Sequence, residues 1–298
     1  MGFERCHPAV NFLFFAGVLA GCWAFSNPVY LALALLCAMA FYVERRGLRA
    51  VPVIAASLAL GVAFALYYSS YHHFGVTVLS HNFIGNARTL ESLVKGAALG
   101  GKLVCCILWL GCLHSVVTTD KIVYLFGRVS PMLALYLSGI LRMVPRISRQ
   151  SKKLDTARSA IGRGRGSGNV FSRINHFFRE LSALITWTLE ALGGLSDAAR
   201  SRGVLLKGRR AYSVYRFDNR DRALVICLFA FLSMTLFAVL LGQTGARFDP
   251  YLRFPQVTAL SYVGFMGYGA FCLLPMWLDV RTAIRFRSSR RKVGKGAK

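Results

Sequence analysis

VPVIAASLALGVAFALYYSSY, residues 51 to 71, runs from Val51 to Tyr71 without one charged side chain. A bilayer's hydrocarbon core needs about 20 consecutive apolar residues of helix, so this stretch reads as a membrane span. The same signature recurs on either side. Ala9 to Phe25 and Val29 to Val43 are apolar runs separated only by the turn residues Asn27 and Pro28, and further runs follow at Leu93 to Val117, Ala223 to Leu241 and Val257 to Leu278. Six spans are therefore expected, in an all-α membrane protein. Hydrophobic residues make up 55% of the 298 residues and mean hydropathy is +0.48, and long uncharged runs of this kind are foreign to a soluble core.

The charge is distributed to match. The formal net charge is +25, yet nearly all the lysines and arginines fall between the runs. Burying such a charge at a bilayer centre costs about 2.5 to 3.5 kcal/mol, so segregation is expected and a nucleic-acid partner is not needed to explain it. Arg45, Arg46 and Arg49 form a basic connector after the second run, which places that connector in the cytoplasm. The apolar stretch after MGFERCHPAV lacks a small-residue cleavage site and reads as a retained span. Lys95 and Lys102 lie in the fourth run and read as snorkelling or helix-contact lysines. Residues 75 to 92 are mixed in polarity and are assigned to the outer interface. The eight cysteines contain no CxxC pair and read as small packing residues.

Four regions follow: N-terminal spans over 1–117, a cytoplasmic module over 118–221, C-terminal spans over 222–280, and a basic tail over 281–298 that can bind anionic lipid. An even number of spans puts both termini inside. The module opens on Thr118, Thr119 and Asp120, an N-cap signature, and continues through a semi-apolar helix over Met132 to Met143. The stretch GRGRGSG, Gly162 to Gly168, separates two amphipathic helical patterns. In the first, Ile147, Leu154 and Ile161 mark one face, and Arg158 sits on it. In the second, Leu181, Leu184, Ile185, Leu192, Leu195 and Ala199 form the stripe, with Arg202 falling in register at the end. Each helix is thus expected to carry an arginine on its apolar face near its C-terminus. A guanidinium buried there needs a counter-group, and a partner's carboxylate in a groove supplies one.

These residues resemble the transmembrane T component of energy-coupling-factor transporters, a family of membrane subunits for cobalt, nickel, biotin and shared vitamin importers. Leu141-Arg142-Met143-Val144-Pro145 is similar to the family's Leu-Arg-Phe-x-Pro, and Thr118 to Val123 to its Thr-Thr helix entry. Ala157-Arg158-Ser159 and Ser201-Arg202-Gly203 are similar to its two Ala-Arg-Gly signatures, with Ser159 in place of Gly and Ser201 in place of Ala. His7-Pro8 and Asn27-Pro28 also fit. The resemblance implies a non-catalytic subunit of a bacterial or archaeal cytoplasmic membrane, without cofactor or metal of its own. Its two coupling helices would dock on a pair of ATP-binding-cassette ATPases, with Arg158 and Arg202 as anchors and Arg142 and Pro145 in support. Its membrane face would grip a small S component that selects the vitamin or transition-metal cargo.

Other classes find less in the sequence. There is no Gly-x-x-x-x-Gly-Lys-Ser/Thr loop for nucleotide. A conventional ABC permease would show one coupling segment where this chain shows two. A membrane-embedded enzyme would need clustered acids, and Asp155, Glu180, Glu190, Asp197 and Asp218 are scattered. A metal site on His72, His73 and His81 lacks a carboxylate, and His114, the deepest histidine, reads as a helix-contact or interfacial residue.

Overall fold

The computed structural model describes residues 2–72, 74–81, 87–162, 170–203, 206, 215–242, 244–246, 248 and 251–296. The chain divides into two units, one of residues 1–118 with 215–298 and the other of residues 119–214. The first is built from α1 (Pro8–Ala24), α2 (Pro28–Arg46), α3 (Val51–Tyr71), α4 (Leu90–Val116), α8 (Asn219–Leu240) and α9 (Ala259–Gly296). The second holds α5 (Thr119–Val129), α6 (Pro131–Ala160) and α7 (Val170–Ser201). Among the described residues, four segments are long and apolar enough to cross a bilayer: Pro28–Tyr71, Leu90–Val116, Asn219–Leu240 and Ala259–Phe286. The chain is a helical membrane protein. Large apolar side chains such as Val62, Ile226 and Leu240 project outward from these helices, at 60%, 69% and 77% exposure, as lipid-facing residues do.

The prolines start the first helices. Pro8 and Pro28 each sit at the first helical position, where a missing N–H costs nothing. The preceding side chains act as caps: His7 Nδ1 accepts from the Ala9 amide at 3.2 Å, and Asn27 Oδ1 from the Val29 amide at 3.1 Å. The turn between α1 and α2 is tied down by the Thr244 carbonyl, which accepts from the Ser26 and Asn27 amides. Between α2 and α3 the chain passes through Gly47, at φ 60°, and a short 3₁₀ turn over Gly47–Ala50.

In the first unit α4 packs against α1, α2 and α3, and α9 packs against α2 and α8. The α3–α4 contact is made by small side chains. Ser57, Gly61, Ala65 and Ser69 recur every fourth residue along the buried face of α3, and Ser92, Gly96 and Gly100 do the same on α4. A Cβ added at Gly96 would lie 2.7 Å from the Ala65 carbonyl oxygen, and one at Gly100 would strike the Gly61 carbonyl. Such backbone proximity is how membrane helices gain dispersion energy without a hydrophobic driving force. Gly100→Leu is therefore expected to cost at least about 1 to 3 kcal/mol by overpacking. Gly139→Leu, at a helical glycine with open space around it, should cost little. Thermal unfolding of the detergent-solubilised variants separates the two cases.

Beside this seam lies an aromatic core. Phe14 meets Phe3, Phe271 and Trp109 at centroid distances of 5.4, 5.3 and 5.7 Å, and Trp109 is fully buried. Cys22, Cys37, Cys105, Cys112 and Cys272 fill gaps in the core, whereas Cys227 is exposed.

Three features depart from the sequence expectation. Part of residues 75–92 forms an antiparallel hairpin, β1 (Val78–His81) with β2 (Ala87–Thr89), anchored where Thr77 Oγ1 donates to Glu91 at 2.8 Å. The semi-apolar helix over Met132 to Met143 is the first half of α6, which continues unbroken through Pro145. A proline removes one helical hydrogen bond but leaves the remaining turns intact, so a strong flanking pattern carries the helix through it. Similarly α9 passes through Pro275 and runs to Gly296 without a break where the tail was expected to start, because Lys and Arg are good helix formers. The GRGRGSG loop beyond Gly162, His73, Arg247 and Asp249 lie outside the described residues.

Candidate functional site

The second unit carries the arginine signatures. Three contacts fix how its long helices pair. Arg146 stacks over the Trp187 ring at 5.6 Å, Ser151 Oγ donates to Glu180 at 2.9 Å, and Arg158 Nη1 donates to the His176 carbonyl at 3.2 Å. Numbers rise along α6 as they fall along α7, so the two helices pack antiparallel. Glu180 is buried at 2% exposure, which makes the Ser151 contact the polar lock of the pair.

Antiparallel packing separates the two signatures. Arg158 lies beside His176 in the first turns of α7, whereas Arg202 follows the last turn of that helix. At 1.5 Å per residue, the 26 positions between 176 and 202 amount to about 40 Å along the axis. The structure therefore does not bring Arg158 and Arg202 together; it places them at opposite ends of the pair.

The two ends also differ, which corrects the expectation that both arginines sit on a helical apolar face. Helix α6 ends at Ala160, with Gly162 at φ 72°, so Arg158 is within its last turn. Helix α7 ends at Ser201, and Arg202 belongs to the turn closed by Gly203, also at φ 72°, whose amide donates to the Arg200 carbonyl. A glycine in the left-handed region stops a helix, and the second glycine arrives three residues sooner after its arginine than the first. Arg158 is consequently half-buried and Arg202 exposed.

The surrounding signature residues are accessible. Ala157 and Ser159 are exposed, with Ser159 Oγ donating back to the Asp155 carbonyl at 2.7 Å. Ser201 is exposed and bonds the Ala198 carbonyl at 3.0 Å, while Gly203 is half-buried. Arg142 and Pro145 are exposed on α6, and Arg149 Nε donates to the Pro145 carbonyl at 3.2 Å. Rows of exposed apolar side chains accompany them: Tyr136, Ile140 and Val144 on α6, and Leu181, Ile185, Leu189 and Leu192 on α7.

No known protein family matches this chain, and no curated protein aligns with it.

The first unit contains a second polar centre that sequence reasoning missed. Asp279 on α9 accepts from the Phe3 amide at 2.9 Å and from the Gly2 amide through one oxygen, and from Arg45 at 2.8 Å through the other. Arg45 also meets Glu4 at 3.3 Å. The side chains of Arg45 and Asp279 are 3% and 5% exposed. Nearby, Asp221 accepts from the His7 amide and caps α8 through the Asp218 amide, while Arg220 donates to the Gly2 carbonyl. One short segment, residues 2–7, is thus gripped by α2, α8 and α9. The sequence signal was an acid directly abutting a span in a chain with only 12 acidic residues.

The remaining candidates are structural. Lys102, at 9% exposure, donates to the Trp23 carbonyl at 2.8 Å and to Ser26 Oγ at 3.3 Å, holding the end of α1 to α4. His72 stacks on the Tyr68 ring, and among the described residues no three His, Cys, Asp or Glu side chains come together as a metal site. His114 is exposed in the last turn of α4 and so makes no buried helix contact.

Proposed function

We propose that this chain is the transmembrane T component of an energy-coupling-factor importer, a scaffold through which partner ATPases drive a substrate-binding S component. The observation that carries the reading is the antiparallel pair of long amphipathic helices, each ending at one arginine signature. Two anchors about 40 Å apart suit two separate ATPase subunits, one at each end. Arg158 spends one of its five donors on His176, which leaves the others for a partner carboxylate. The exposed apolar rows on α6 and α7 supply a surface for the S component.

Six crossings of a bacterial or archaeal cytoplasmic membrane complete the proposal, with both termini inside. The Pro28–Tyr71 segment of 44 residues would be about 66 Å long as one rod, twice the hydrocarbon thickness, so it is assigned two crossings hinged at Gly47. Helix α1, at 17 residues, reaches about 26 Å and spans with slight bilayer thinning. Catalysis is assigned to the ATPases, and the cargo, a vitamin or transition metal, to the S component.

The test is co-expression with the two ATP-binding-cassette ATPases of the same organism and purification through a tag on one ATPase. Recovery of this chain in a stoichiometric complex is the expected result. An ATPase pair recovered alone, from membranes in which the chain is present and folded, refutes the proposal.

A further inference from the structure

The cleft between α6 and α7 is a charged site that the coupling role leaves unused. It holds about 330 Å³ and is lined by Arg146, Arg149, Gln150, Lys153 and Trp187. Three cationic side chains thus converge on one space with no acid in its lining. The two arginines are held in place: Arg146 stacks on Trp187 and Arg149 is fixed through Nε to the Pro145 carbonyl, while α6 is tied to α7 by Ser151 and Glu180. The guanidinium forks keep their remaining N–H groups, the geometry that suits phosphate oxygens.

The position of the cleft indicates what carries the phosphate. Before Pro145, α6 exposes Tyr136, Ile140 and Val144, at 60%, 62% and 62%, with Arg142 as one cation among them; from 146 to 153 the exposed residues are Arg146, Ser148, Arg149, Lys152 and Lys153. A helix that turns from apolar to basic within one or two turns, with a tryptophan at that level, has the composition of a membrane–water boundary. We infer that Arg146, Arg149 and Lys153, walled by Trp187, bind the phosphate of an anionic phospholipid headgroup. This requires only that the chain is a membrane protein and is independent of the ATPase partners.

Native mass spectrometry of the full chain in detergent tests it, with phosphatidylglycerol, phosphatidylcholine and inorganic phosphate as probes. Wild type should retain one tightly held phosphatidylglycerol, and the triple variant Arg146→Gln, Arg149→Gln, Lys153→Gln should bind it at least about tenfold more weakly. A charge-matched control, Lys152→Gln, Arg200→Gln, Arg216→Gln, should behave as wild type. The single variant Lys153→Gln should weaken binding partially, and it serves if the triple variant loses its helical circular dichroism. Equal loss in the control, equal retention of phosphatidylcholine, or no loss in either cleft variant would overturn the site. Displacement of the lipid by millimolar inorganic phosphate would overturn the lipid assignment and make free phosphate the ligand.

Discussion

Asp279→Ala should destabilise the first unit by about 3 to 5 kcal/mol, the usual cost of removing one partner from a buried ion pair. The carboxylate accepts from Arg45 and from the Gly2 and Phe3 amides, and all are shielded from water. Its loss takes the shorter carboxylate contact from a guanidinium at 3% exposure and removes the acceptor of two buried amides. Asp279→Asn keeps an acceptor of the same size and should cost less. Arg45→Met combined with Asp279→Leu removes both charges and should recover much of the loss, since well-packed apolar pairs often replace buried ion pairs at no net cost. Thermal unfolding of the solubilised variants gives the ranking. Asp279→Ala with wild-type stability would mean that the 2–7 segment does not hold α2 and α9 together.

The second large effect concerns assembly. On the proposed coupling role, Arg158→Glu with Arg202→Glu should abolish recovery of this chain with partner ATPases, because losing a desolvated arginine–carboxylate contact would cost about 2 to 5 kcal/mol at each end. The single changes should differ. Arg158 is half-buried and hydrogen-bonded to the His176 carbonyl, so Arg158→Glu also disturbs the α6–α7 pair. Arg202 is exposed in a turn and Arg202→Glu should act on the partner contact alone. Arg200→Glu, two residues earlier and outside the signature, is the control expected to assemble normally. Wild-type recovery of the double variant would remove both arginines from the coupling interface.

What the sequence made legible follows from the range of the physics involved. Span positions depend on local hydropathy and on prolines that mark helix starts, so Ala9 to Phe25 corresponds within a residue to α1, and Val51 to Tyr71 coincides with α3. Helix ends in the second unit depend on single glycines. The apolar periodicity carries Arg202 forward in register, but Gly203 stops the helix before it, and periodicity alone has no term for that stop. Long-range polar contacts are harder still. Nothing in the neighbourhood of Asp279 announces Arg45, which lies 234 residues away. The four-residue spacing of Ser57, Gly61, Ala65 and Ser69 was present in the sequence, but it became a contact only once Gly96 and Gly100 were seen opposite it. The basic cleft likewise needs both helices, since Trp187 is separated from Arg146 by the whole α6–α7 connection.

The proposed coupling role fixes a stoichiometry, which a native mass measures. Captured through its own tag from the source membranes in mild detergent, the chain should carry two ATP-binding-cassette ATPase subunits and one small membrane protein, each identified by mass and sequence. A chain that runs alone or with other partners under conditions that keep its helices folded would contradict the importer reading.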